Sequence, residues 1–391
     1  MTLHVDDGML FGNKSSKVYL KARYALDKKF NIKKWSTLNG EKEEDYLGMQ
    51  WLQYTDEDPR IVLHMDQYAG KLDLVDLPKR SDLDDNAVLT DQQYKDFLSG
   101  LGQVRWIVNH LIPPLAYAVS SVSQHGRQDL KISHLKELNG IIKTAISEQR
   151  KGHARFTFRP IDLSKLTVMT SFDASFAEEV GMKSQAGFFS YMTTSNILKG
   201  ETICDIVEFH SGTIPRVVKS TMAAESAALS IALDRQLYLR LLIEAILYGE
   251  PEVFAHDWRQ KLKIPGICVT DAKSLYDHLS KTGSVPKEKQ TLIDLLTARD
   301  LAETKAVNLR WMPNRHMLAD VLTKKVKPTP VLEKFLYDGL YSGVPTKEEV
   351  LSEEYRQELR RAQRQRRKDR KKEAKALSEA TAKLETVKLT S

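Results

Sequence analysis

Cysteine is nearly absent from the sequence: 391 residues contain two, Cys204 and Cys268. Two thiols cannot build a disulfide scaffold, and such sparing use suits a reducing compartment. The ten histidines do not cluster with them at zinc-ligand spacing, so no zinc site is expected. Long apolar runs are missing as well. None approaches the ~18 residues of a transmembrane span. The most apolar stretch, "IALDRQLYLRLLIEAILYG", is interrupted by Asp234, Arg235, Arg240 and Glu244. No apolar signal-peptide core follows a basic start. A soluble, intracellular protein with no membrane partner is the expectation.

What is present is ordinary for a globular protein, with 41% hydrophobic and 28% charged residues. The length allows two or three domains of ~150 residues. The net charge of +7 is unevenly spread. Between Arg356 and Lys375 stand eleven Lys or Arg against three Asp or Glu, which leaves the remainder close to neutral. The basicity belongs to a tail rather than to the folded body.

Residues 1–160 mix short strand-like and helix-like pieces. "LHVDDGMLFG" reads as two β-rich halves around a tight turn, and "KVYLKARYALDKKFNI" has helical spacing. "DYLGMQWLQY" reads as one strand, and "IVLHMDQYAGKLDLVDLP" as a strand running into a helix that Pro78 ends. A helix, a break at Pro113-Pro114 and a second helix follow. Residues 163–328 change character: three successive strands, a long helix with Ser220 or Thr221 as N-cap, then strand, helix, helix, strand and a last short helix. That order predicts a mixed α/β sheet with flanking helices. Residues 329–391 form a charged, basic segment that reads as a solvated helix or a disordered tail.

Four acids in the second region stand at element junctions. Asp173 lies within the first strand, and Glu225 lies in the opening turns of the long helix. Asp271 ends the strand "GICVTD", and Asp320 opens the last helix. If they converge, like charges raise their pKa values unless cations neutralise them. Oxygen ligands at such density select Mg²⁺ or Mn²⁺, and two such ions suit phosphodiester hydrolysis. Among 52 Asp and Glu, spacing alone does not separate this set from solvated surface acids.

The blocks "HVDDGMLFG", "DYLGMQ", "SFDAS", "STMAAESAAL", "VTDAKSL" and "LADVLTK" occur in the order seen in copia-type retrotransposon polyproteins, which the chain resembles over residues 1–326. The first two are similar to the tip of a reverse-transcriptase palm and the strand after it. The other four are similar to the acidic blocks of the attached ribonuclease H domain. The resemblance implies a ribonuclease H-like mixed sheet preceded by a truncated palm, thumb and connection. It implies that Asp173, Glu225, Asp271 and Asp320 are the metal-binding, catalytic quartet for cleaving RNA–DNA hybrids. Asp6 and Asp7 would be the paired polymerase aspartates, and Tyr46-Leu47-Gly48 would fall near the primer-holding strand. Phe176 replaces the tryptophan usual after the first ribonuclease aspartate, and His4 replaces a more usual aromatic.

A polymerase also needs an upstream palm carboxylate and fingers. With five residues before Asp6, no DNA synthesis is expected from this chain alone. His316, four residues before Asp320, reads first as an ordinary loop histidine and second as a proton-transfer group. In the tail, Arg356, Arg360, Arg364, Arg367 and Lys371 recur at helical spacing. One cationic face of that kind suits phosphate backbones or a nuclear localisation signal; a solvated helix without a partner is the plainer reading. The leading expectation is a two-metal hybrid ribonuclease. The alternatives are a non-catalytic nucleic-acid-binding remnant and an inert fragment. Other parts of a retroelement polyprotein are expected partners, with a cytoplasmic location (in a virus-like particle) or a nuclear one.

Overall fold

The computed structural model describes residues 2–4, 7–10, 12–30, 32, 35–38, 40, 42–79, 84–249, 257–280, 286 and 288–345. Strands β1 (Thr2–His4) and β2 (Asp7–Met9) form an antiparallel hairpin, as the paired β-rich halves predict. Helix α1 (Lys17–Phe30) follows and buries none of its residues. Next come β3 (Glu44–Tyr46), β4 (Met49–Tyr54) and β5 (Arg60–His64). The expected single strand "DYLGMQWLQY" is therefore a hairpin. Leu47 and Gly48 both take positive φ, 56° and 73°, the signature of a tight turn between twisted strands.

Helix α2 (Asp66–Ala69) ends at Gly70, well before Pro78. The two long helices meet the prolines as expected: α3 (Asp91–Leu111) and α4 (Pro113–Val122). Thr90 opens α3 with a capping box, its hydroxyl accepting from Gln93 N while the Gln93 side chain accepts from Thr90 N. Helix α5 (Ile132–Arg150) and strand β6 (Arg155–Phe158) complete this part. Strand β6 pairs with β5, closing an antiparallel sheet in the order β3-β4-β5-β6.

The second part is built on β7 (Leu166–Ser175), β8 (Gln185–Thr194), β9 (Glu201–Ile203) and β10 (Asp205–Thr213). The third expected strand is split at Cys204, where β9 leaves the main sheet. Helix α6 (Thr221–Tyr248), strand β11 (Gly266–Thr270), helices α7 (Lys273–Ser280) and α8 (Lys289–Glu303) and strand β12 (Asn308–Trp311) follow in the predicted order. The expected last helix is instead two short 3₁₀ turns, Asn314–His316 and Ala319–Leu322. Short helix α9 (Pro330–Glu333) and strand β13 (Leu340–Ser342) come after it, β13 pairing with β9.

The central sheet has the order β10-β8-β7-β11-β12. Strands β10, β8 and β7 are antiparallel, whereas β7, β11 and β12 run parallel. All ten residues of β7 are buried, as its central place demands. Side chains alternate across a strand. Leu166, Val168, Phe172 and Ala174 face α6 and its core, while Met169 joins the opposite core. That opposite core runs without interruption from Phe97, Val104 and Leu135 of the helices to Phe189 and Tyr191 of β8. Three antiparallel strands, a long helix, and two further strands parallel to the first make this a ribonuclease H-like fold. The compact unit that contains it ends at Gly343.

Cys204 and Cys268 are buried free thiols. Among the described residues, no helix is long and apolar enough to cross a membrane.

Candidate active site

Asp173 lies near the carboxyl end of β7, opposite Gly187 of β8. Asp271 follows β11 directly, at a strand-to-helix corner where the Thr270 hydroxyl accepts from Ala272 N at 3.0 Å. Open α/β sheets present ligand sites beyond such strand ends. Glu225 comes from the second turn of α6, which Ser220 caps by accepting from Ala223 N at 3.1 Å. Asp320 rides on the Ala319–Leu322 turn.

Carboxylate oxygens of Asp173, Asp271 and Asp320 all lie within 4.8 Å of one another. Glu225 stands beside them, and both Asp173 and Asp271 act on its ionisation. Asp173 is 2% exposed and Glu225 is 7% exposed. Burial, with the neighbouring acids, pushes the Asp173 carboxyl up to about 7, although Lys324 pulls the other way. Burial and then Asp173 raise Glu225 well above the ordinary carboxylate range. Burial raises Asp271 too, against a hydrogen bond from Asn314 that favours its charged form. Crowding of this kind makes the site short of positive charge.

Neighbouring groups fix the acids. The Thr323 hydroxyl donates to Asp173 Oδ2. Asn314 Nδ2 donates to Asp271 Oδ2 at 2.9 Å and to Asp320 Oδ2 at 3.3 Å. The indole of Trp311 donates to the Asp271 carbonyl at 3.0 Å. Lys324 Nζ lies 3.0 Å from Asp320 Oδ1 and 3.3 Å from Asp173 Oδ2. Glu225 Oε2 is buried without a hydrogen-bond partner. An orphaned carboxylate oxygen beside three clustered acids fits a hard divalent cation, since the donors are all oxygen and anionic.

Thr323, Lys324 and Asn314 are absent from the sequence-derived site. Thr323 and Lys324 stand three and four residues after Asp320 inside the "LADVLTK" block, so the signal lay within a motif read for its aspartate. His316 is half-buried, and burial followed by Arg315 lowers its pKa. Its carbonyl accepts from the Tyr341 hydroxyl at 2.9 Å. Asp7 takes its place in β2, opposite His4. Asp6 and the tail residues Arg356, Arg360, Arg364, Arg367 and Lys371 lie outside the described residues.

No protein-family profile and no curated protein sequence matches the chain. Among solved structures it is similar to an N-terminal ribonuclease H domain from Mycobacterium tuberculosis, at 19% identity over 40% of this chain and 91% of that one, with a TM-score of 0.26. It is similar to ribonuclease H1 of Halobacterium salinarum, at 18% identity over 40% of this chain and 94% of that one, TM-score 0.26. The foamy viral protease–reverse transcriptase in complex with RNA/DNA hybrid is similar over 86% of this chain and 36% of that one, at 13% identity and a TM-score of 0.36.

Proposed function

We propose that the chain is a retroelement-derived, metal-dependent ribonuclease that cleaves the RNA strand of RNA–DNA hybrids. In this reading residues 163–328 form the nuclease, residues 1–160 derive from the palm, thumb and connection of a reverse transcriptase, and residues 329–391 are a basic segment. The observation that carries this reading is the meeting of Asp173, Asp271 and Asp320 within 4.8 Å, beside the unpartnered Glu225 Oε2. The order of the six sequence blocks supports the copia-type origin.

Asp173, Glu225, Asp271 and Asp320 are the residues that would hold Mg²⁺ or Mn²⁺, two ions in this reading. Bound there, such ions supply positive charge at the scissile phosphate and lower the pKa of a water. The protein supplies position. Thr323 fixes the orientation of Asp173, and Asn314 ties Asp271 to Asp320. Burial of Asp173 and Glu225 removes them from bulk water and strengthens their hold on a cation. In-line attack of water on the phosphorus breaks the bond to the 3′ oxygen and leaves 5′-phosphate and 3′-hydroxyl ends.

The test is cleavage of a labelled RNA–DNA hybrid with Mg²⁺ or Mn²⁺, comparing the wild type with Asp271→Asn. Cleavage by the wild type that is abolished in the variant is expected. A folded wild type that leaves the hybrid intact, or a variant that cuts as well as the wild type, overturns the reading.

A further inference from the structure

Lys324 brings a positive charge of the protein's own into the acidic cluster. Its ammonium touches Asp320 Oδ1 at 3.0 Å and Asp173 Oδ2 at 3.3 Å at the same time. The backbone sets this reach, because Lys324 N donates to Asp320 O at 3.1 Å and closes the turn that carries both side chains. The two acids differ in surroundings: the Asp173 side chain is 3% exposed, Asp320 is 22% exposed, and Lys324 is 34% exposed. The lysine therefore enters from the solvent side and ends on a deeply buried carboxylate.

Two of the acids assigned above to the cations are thus already paired with a cation. An ammonium and a divalent ion compete for the same oxygens, since both draw on their lone pairs and the two cations repel. We propose that Lys324 is the resident counter-cation of the cluster: it holds Asp173 and Asp320 together in the metal-free protein and withdraws when a divalent cation takes those oxygens. The inference rests on the reading of the four acids as metal ligands. It makes Lys324 a positioning residue that sets the affinity of the site for metal, with the lysine stem free to swing toward solvent along its exposed side.

The experiment uses the full chain, with Mn²⁺ alone as the probe. Isothermal calorimetry gives the Mn²⁺ affinity, and thermal unfolding without metal gives the stability of the unloaded cluster. Lys324→Gln keeps most of the stem and removes the charge, while Lys324→Arg keeps the charge. The expected result for Lys324→Gln is a lower metal-free Tm together with Mn²⁺ binding about three- to tenfold tighter, the size of one or two displaced ion pairs. Lys324→Arg stays near the wild type on both measurements. Should Lys324→Gln unfold without metal, its refolding by Mn²⁺ supports the proposal, and failure to refold overturns it. Mn²⁺ binding that Lys324→Gln leaves unchanged or weakens overturns the counter-cation and leaves the metal-ligand reading standing. Absence of Mn²⁺ binding by the folded wild type and both variants overturns the two together.

Discussion

Gly187 of β8 lies directly opposite Asp173 of β7, and the turn that carries Asp320 rests against it. A Cβ placed on Gly187 would stand 2.5 Å from Leu322 Cβ and 3.0 Å from Thr323 Cγ2. The missing side chain is what lets the turn settle onto the sheet beside Asp173. From the neighbouring strand, the Ser211 hydroxyl donates to the Leu322 carbonyl at 2.6 Å and holds the turn down. Gly187→Ala is expected to lift residues 319–323, break the Thr323–Asp173 hydrogen bond and cost about 1–3 kcal/mol through overpacking. Hybrid cleavage should fall by about tenfold or more, because a shift near 1 Å at a reacting site is costly. Urea unfolding together with cleavage rates checks both parts; a variant with wild-type rates sinks the idea.

Burial of Asp173 makes the site a source of instability when metal is absent. Its carboxyl is raised from 3.8 to about 7 in the folded chain. The unfolded chain therefore releases this proton at lower pH than the folded one does. The stability associated with the protonated folded form is complete below about pH 4 and is lost as pH rises through about 7. Asp173→Asn removes that loss. The variant is expected to be more stable than the metal-free wild type at pH 7.5 by roughly 2–4 kcal/mol, and little different from it near pH 4. Thermal unfolding in a chelator across pH 4–8 measures it. Equal stability at pH 7.5 would mean that Lys324 fully neutralises the cluster.

How much of this was legible in the sequence depends on whether a feature is local. The order of strands and helices from residue 166 to 311 follows from periodicity, and the Ser220 cap from its residue type. The four acids were legible because each stands inside a short block, "SFDAS", "STMAAESAAL", "VTDAKSL" or "LADVLTK", whose order carries the resemblance; position at element junctions alone does not single them out. The hairpin at Leu47–Gly48 was not, because a non-glycine residue with positive φ masks the turn. Helix α5 and strand β6 went unread. Strand β6 is four residues long and has no meaning apart from its pairing with β5. Asn314 and Thr323 act on acids that only the folded chain brings to them, Thr323 bridging 150 residues to Asp173.

In the sequence Arg240 interrupts an apolar run, and in the fold it is buried at 2% exposure. Its guanidinium donates to the Ile264 carbonyl at 2.8 Å and the Ala306 carbonyl at 2.6 Å, the chain leading into β11 and the chain leading toward β12. Glu244, one turn on, accepts from Ile264 N at 2.7 Å. Burial lowers the pKa of Arg240 to about 10, against the attraction of Glu244, so it stays charged at neutral pH. Arg240→Ala leaves the Ile264 and Ala306 carbonyls without their donor and the buried Glu244 carboxylate without a nearby positive charge, and is expected to cost about 3–5 kcal/mol. Urea unfolding at pH 7 provides the number; a loss below about 1 kcal/mol would show that the buried guanidinium contributes no more than a surface charge does.

Among the described residues, Asn314 is the side chain that donates to both Asp271 and Asp320, through Nδ2 at 2.9 and 3.3 Å. It carries no charge, so it can hold the two acids at a fixed separation without competing for their negative charge. Asn314→Leu removes the tie while keeping a similar volume. Each acid is then free to rotate away, and a cation must pay for reordering them. The expected outcome is hybrid cleavage needing about 10–100 times more Mn²⁺ for half-maximal rate, the usual effect of losing a group that orients metal ligands. The rate at saturating Mn²⁺ should largely recover, since the ligands themselves remain. Asn314→Asp gives the contrast: it restores size and polarity but adds a further negative charge next to Asp271 and Asp320, which should lower the metal-free Tm and tighten Mn²⁺ binding. Titrating cleavage and Tm with Mn²⁺ for the wild type and both variants separates orientation from charge. If the two variants shift the Mn²⁺ requirement in the same direction, Asn314 does not act by orienting these acids.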